Sequence, residues 1–176
     1  VPELPPDVQR KLLAKYPPHC IVRNPVDVTG DADALRYRVA LEDVLPTDHV
    51  DAAMVILLFT APLLDLIVVD HIADVADSID KPIVAVAMGG MFALRAAELL
   101  EEMNIPTYPT PERAAKALWA LYEYHKRKES IKKVLFSKNE YAHNKSQEYE
   151  KEDGDGQAYR VFGDNRPRPV HRGAPK

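Results

Sequence analysis

Ala53-Met54-Val55-Ile56-Leu57-Leu58 and Ile83-Val84-Ala85-Val86-Ala87-Met88 are two six-residue runs with no polar side chain in either. Neither alternates apolar with polar, so neither reads as a strand with one wet face. Uninterrupted runs of this kind mark strands buried on both faces, as in a parallel sheet covered by helices. Each run leads into a helical pattern. Thr60-Ala61-Pro62 follows the first run. A threonine able to cap and a proline in the opening turn predict a helix from Thr60 to about Ser78. Lys81-Pro82 ends it. Gly89-Gly90 follows the second run, ahead of a helix expected over residues 92–103 with its stop at Asn104.

Working outward, residues 21–28 form a short apolar stretch read as the preceding strand. Residues 31–45 read as an amphipathic helix, with Leu35 and Val39 at helical spacing. Ile105-Pro106-Thr107-Tyr108 is a short strand. Thr110-Pro111-Glu112 repeats the cap-then-proline signal and opens a helix through about residue 128. A further short helix is expected over residues 7–15, inside a Pro-rich opening. The order β-α-β-α-β-α-β-α, with one helix per crossover, implies parallel strands joined right-handedly. The expected architecture is α/β, a flavodoxin-like three-layer doubly wound parallel sheet over residues 21–130. A helix and connector fill residues 1–20, and a polar C-terminal tail fills residues 131–176. The tail, with Asp153-Gly154-Asp155-Gly156 and Arg166-Pro167-Arg168-Pro169, has too little apolar area to offset the entropy of ordering, so flexibility is expected there.

The 176 residues, 46% of them hydrophobic, suit one domain with a real core. The formal net charge is −4. It is divided unevenly: residues 1–125 hold 10 Lys/Arg and 19 Asp/Glu, and residues 126–176 hold 13 and 8. An acidic domain followed by a basic tail is the plain reading. A lone cysteine, Cys20, excludes an internal disulfide and fits a reducing, cytoplasmic compartment. It is expected to be a small buried apolar residue. No run is long enough to span a bilayer, so no membrane partner is expected. The chain opens on Val1 rather than Met, as a processed or excised piece would. Tyr122, Tyr124 and His125 through Lys128 form an aromatic-basic cluster. Cations favouring a helix C-terminus explain it more simply than nucleic acid, and no nucleic-acid partner is expected.

Open α/β sheets bind ligands at the carboxyl ends of their strands. Three segments fall there: Asn24-Pro25-Val26-Asp27-Val28-Thr29-Gly30, Phe59-Thr60-Ala61-Pro62, and Met88-Gly89-Gly90-Met91. Each leads into a helix, whose free N–H groups and dipole favour an anion such as a phosphoryl group. Taken singly, each is better explained by capping and tight turning. Asp27 positions a ligand or metal on one reading and bonds the following turn on the other, the commoner role. His19, His49, His71, His125, His143 and His171 show no zinc-site spacing. His71, beside Asp70 and Asp74, is expected on a solvated helix face. No G-x-S-x-G, C-x-x-C or Ser-His-Asp pattern supplies a nucleophile.

The ordered set of motifs is more specific than any one of them. N-P-V-D-V-T-G at Asn24 to Gly30, V-D-A at Val50 to Ala52, K-P-I-V-A at Lys81 to Ala85 and M-G-G at Met88 to Gly90 appear in sequence. N-I-P-T-Y at Asn104 to Tyr108 and P-E-R-A-A-K-A-L at Pro111 to Leu118 complete it. With the Leu58-to-Pro62 joint, these resemble the third, ligase-CoA domain of the α subunit of ADP-forming acetyl-CoA (acyl-CoA) synthetases, in the succinyl-CoA synthetase superfamily. The resemblance implies part of an enzyme that converts acyl-CoA, phosphate and ADP into a carboxylate, CoA and ATP through a phosphohistidine on another domain. It implies no catalytic residue and no cofactor held by this domain alone. CoA, ADP or ATP and Mg would be held by partners, a CoA-binding and phosphohistidine domain and an ATP-grasp domain or subunit. Carried onto this chain, it places phosphohistidine binding at Asn24, Asp27, Thr29, Gly30, Thr60, Ala61, Gly89 and Gly90, with the helix opening near Thr60 as the receiving end. The family's phosphohistidine segment has no counterpart in these residues. A non-catalytic interaction or regulatory domain, and the equivalent domain of a multidomain protein acetyltransferase, are the alternatives.

Overall fold

Both apolar runs are strands. β1 (Ala53–Leu58) and β2 (Ile83–Met88) pair in parallel, in register from Ala53 opposite Ile83 to Leu58 opposite Met88. β3 (Thr107–Tyr108) adds in parallel on the other side of β2, with Ala85 opposite Thr107. This is a computed structural model; it describes the backbone of residues 2–146, 150–152, 158–161 and 167–169, and the side chains of residues 2–135. The chain divides into two units, Val1–Leu121 and Tyr122–Lys176.

In the first unit the sheet is covered on both faces. On one, α2 (Ala34–Val44), α3 (Ile67–Ser78) and α4 (Gly90–Glu102) bury Leu41, Val68, Ile72, Val75, Ala96 and Leu100 against Val55, Leu57, Ile83 and Ala85. On the other, α5 (Pro111–Ser146) brings Ala114 and Leu118 to Val84, Val86 and Tyr108. Strand residues of one parity face one layer and those of the other parity face the second, so an apolar run without alternation is what both layers require. The result is a three-layer α/β fold consistent with the flavodoxin-like architecture. A smaller core joins α1 (Pro6–Lys15) to the outer side of α2: Val8, Leu12, Tyr16, Cys20 and Val28 pack with Val39 and Val44. Cys20 is buried there as a small apolar residue. The Tyr16 hydroxyl donates to the Arg36 carbonyl oxygen at 2.9 Å, and burial, ahead of the nearby Asp43 charge, raises its pKa.

Three boundaries depart from the sequence reading. Residues 21–28 are not a strand of the sheet; the segment pairs with itself, Ile21 N–H donating to the Asp27 carbonyl (3.1 Å) and Asp27 N–H to the Ile21 carbonyl (2.8 Å). Pro25, in its middle, has no N–H to give a ladder. The sheet order among the described residues is therefore β1-β2-β3, with no reversal of direction. α3 opens at Ile67, not at Thr60. Phe59 and Leu64 are buried in the main core and hold the intervening residues as a loop, and the Asp65 carboxylate accepts from the Ile67 N–H at 3.1 Å. A carboxylate next to the free N–H groups is the stronger terminus signal. α5 continues to Ser146 because residues 129–146 contain no Gly or Pro.

In the second unit, beyond the helical residues, β4 (Glu150–Glu152), β5 (Ala158–Val161) and β6 (Pro167–Pro169) pair antiparallel in that order. The Asp153-Gly154-Asp155-Gly156 segment of the expected tail lies outside the described residues.

Candidate functional site

The carboxyl ends of β1 and β2 meet backbone to backbone. Phe59 N–H donates to the Met88 carbonyl at 2.7 Å, one residue past the end of the paired strands. Gly89 then turns with φ +112°, in the left-handed region, and Gly90 follows with φ +75°. A Cβ on Gly89 would stand 3.0 Å from the Thr60 amide nitrogen and 3.1 Å from Phe59 backbone atoms. Position 89 thus requires glycine on two counts, its torsion and the approach of the neighbouring loop. A Cβ on Gly90 meets nothing within 4 Å, so only its torsion favours glycine.

Two helices follow these strand ends in the chain, α4 directly from Gly90 and α3 after a loop, from Ile67. The N-terminus of α3 is already served by acid groups: Asp65 bonds the Ile67 N–H, and Asp70 stands in the first turn. That of α4 has Gly89 as its N-cap, no side-chain cap bond and no acidic residue in its first turn. Its opening N–H groups and the positive end of its dipole are left for an acceptor from outside the helix. Thr60 is exposed in the loop and caps neither helix, while Ala61 packs partly buried against the main core.

The Asn24-to-Gly30 loop is bound up in its own hydrogen bonds. Its Asn24–Pro25 peptide is cis. Asn24 Nδ2 donates to the Pro2 carbonyl at 3.0 Å. Asp27 takes the turn role, Oδ1 accepting from the Thr29 N–H at 2.8 Å. Thr29 has φ +68°, and its hydroxyl lies 2.6 Å from the Val28 carbonyl and in contact with the Asp31 carboxylate. Gly30 has an ordinary torsion, and a Cβ there would meet nothing within 4 Å. Sequence reasoning passes over Arg36, which anchors this loop: Nη1 donates to the Val28 carbonyl (2.9 Å) and to Asp31 Oδ1 (3.0 Å). The Thr29 hydroxyl, Arg36 and His19 together hold the Asp31 carboxyl well below the usual carboxylate range. The only sequence signal is Asp33, whose side chain accepts from the Arg36 N–H at 2.9 Å as the N-cap of α2 and so fixes where Arg36 begins.

His71 departs from expectation: it is half-buried on α3, and its Nδ1 is enclosed with no hydrogen-bond partner. Among the described residues no cluster of three or more His, Cys, Asp or Glu is placed to hold a metal, and no helix is long and apolar enough to cross a membrane. A cavity of about 640 Å³ opens at the opposite end of the sheet, lined by Ile79, Pro82, Ile83, Ile105 and Pro106 among others. Its walls mix these apolar residues with Asp77, Asp80, Lys81 and Asn104, and bear none of the candidate residues.

The Ligase-CoA domain family matches residues 1–132. The chain belongs to this family. The ligase-CoA domain is 39% identical over 121 residues to the α subunit of ADP-forming acetate–CoA ligase I of Pyrococcus furiosus, a match spanning 66% of this chain and 26% of that protein. It is 31% identical over 128 residues to the ADP-forming acetate–CoA ligase I of Archaeoglobus fulgidus, covering 72% of this chain and 18% of that one. The chain thus spans about a quarter or less of these relatives. Among solved structures, the dinucleotide forming acetyl-coenzyme A synthetase 1 of Ca. Korarchaeum cryptofilum superposes with TM-score 0.68 at 29% identity, over 77% of this chain and 30% of that one. The same synthetase in complex with phosphate and ADP gives TM-score 0.69.

Proposed function

We propose that this ligase-CoA domain works inside a nucleoside-diphosphate-forming acyl-CoA synthetase, in which acyl-CoA, ADP and phosphate yield a carboxylate, CoA and ATP. Its part is to help hold a phosphohistidine carried by another domain. The receiving end is where the β1 and β2 loops join, at Thr60, Ala61, Gly89 and Gly90. Asn24, Asp27, Thr29 and Gly30 belong to the same proposed site through the resemblance to the family. CoA, the nucleotide and Mg are held by the CoA-binding and ATP-grasp partners.

The observation that carries this reading is the close approach of the two loops at Gly89, which leaves no room for a side chain there, beside a helix start with no capping side chain and no acid in its first turn. A phosphoryl group needs N–H donors and a positive dipole end that are in place before it arrives. Two loops locked together by a glycine supply such donors without reorganisation. The domain offers positioning and charge stabilisation, not a nucleophile.

The test is acyl-CoA-dependent ATP formation after mixing the chain with the missing ligase domains. Gly89→Ala keeps every N–H, but its Cβ pushes the Thr60 and Phe59 backbone aside. It should lower the rate by about 100-fold, the low end of what losing one preorganised donor costs. Gly90→Ala, which meets no clash, should retain more activity than Gly89→Ala. Full activity in a Gly89→Ala complex that is demonstrably folded sinks the assignment.

A further inference from the structure

Parallel pairing fixes the direction of every peptide group in β1. Ala53 N–H donates to the Pro82 carbonyl (2.9 Å) and Phe59 N–H to the Met88 carbonyl (2.7 Å). Residues 53, 55, 57 and 59 therefore turn their main-chain groups to β2. Those of Met54 and Ile56, and the N–H of Leu58, turn the other way; the Leu58 carbonyl is taken by the Ala61 N–H at 3.0 Å. β1 is the end strand of its sheet among the described residues, so that edge stands open.

The same residues carry unfinished side-chain packing. Met54, Ile56 and Leu58 point to the α5 side of the sheet, where Ala114 and Leu118 cover the strands around Val84 and Val86. Ile56 is 43% exposed and Leu58 46%, whereas Leu57 on the opposite face is 0%. Strands that remain at an edge are usually blunted by lysine, proline or a bulge. β1 has none of these; its six residues are all apolar, the composition of an interior strand.

We propose that the open edge of β1 is a strand-addition site, filled by an extended apolar segment from another domain of the ligase. This rests on the reading that the chain works inside such an enzyme. An added strand satisfies the main-chain groups of Met54, Ile56 and Leu58 and covers the Ile56 and Leu58 side chains at once; a helix or a polar loop does only one of these. The relatives have polypeptide to supply it, because the matched region is 26% of the Pyrococcus furiosus subunit and 18% of the Archaeoglobus fulgidus protein.

The experiment is hydrogen exchange with residue resolution on the 176-residue chain alone. It is repeated after mixing with the Pyrococcus furiosus α subunit from which the matched region has been deleted. In the chain alone the amides of Met54, Ile56 and Leu58 should exchange quickly and those of Val55 and Leu57 slowly. In the mixture the first three should slow by about 100-fold or more, as an amide does on entering a stable ladder. Ile56→Lys should leave the isolated chain folded and remove that protection. A complex in which the three amides still exchange quickly overturns this inference and leaves the ligase reading standing. Absence of any complex counts against both. Protection already present in the chain alone, with concentration-dependent dimerisation, overturns it in favour of a second copy at the edge.

Discussion

The Asp31 carboxylate shows how much of the candidate loop is set by single side chains. Thr29, Arg36 and His19 all favour its ionised form, so it is held far below the ordinary carboxylate value. A depressed carboxylate contributes stability above its unfolded pKa, near 4, and that contribution is lost as pH falls through the folded value. The group is solvent-exposed and its ion pairs are screened, so the effect belongs to the loop rather than to the whole fold. NMR titration should find Asp31 still ionised when other exposed aspartates are protonated, and Arg36→Ala should move its midpoint up. An Asp31 that titrates with the rest removes the clasp. The turn role of Asp27 was legible from residue type and position. The roles of Arg36 and Asp31 were not, because they depend on where Val28 and Thr29 present their oxygens after the chain has turned.

At the scale of elements, β1 joins a finished face to an unfinished one. Leu57 is completely enclosed between the strands and the helices of the main core. Leu57→Ala should cost about 2–5 kcal/mol, the range for emptying a packed core position. Ile56→Lys, one residue away on the open face, should cost less than about 1 kcal/mol, as exposed substitutions do. Urea unfolding midpoints of the two variants measure the contrast; equal losses would mean that the outer face is packed after all. Both strands, α4 and the start of α5 were readable from local patterns, since apolar runs and proline or glycine breaks are properties of a few neighbouring residues. The start of α3 was not. Thr60 carries the right side chain for a cap, but Phe59 and Leu64 are drawn into the core and Asp65 offers the better acceptor. Residues 21–28 failed as a strand for a similar reason: an apolar segment pairs with whatever edge it reaches, and this one reaches itself.

For the whole molecule, the domain should produce no ATP from acyl-CoA, ADP and phosphate by itself and should do so once the missing ligase domains are added. A coupled luminescence assay distinguishes the two, and turnover by the chain alone would refute the proposed accessory role. The sequence by itself determined the layered α/β class and the family. Both are written in the order of short motifs and in apolar runs that only a covered sheet can bury. Tertiary structure alone decided that the β1 and β2 ends meet at the Phe59–Met88 hydrogen bond with no room for a side chain at position 89, that the α4 start has neither a capping side chain nor an acid in its first turn, and which edge of the sheet is open among the described residues. Those features depend on pairing between residues about thirty positions apart, as Phe59 and Met88 are, and on torsions that a local pattern does not encode.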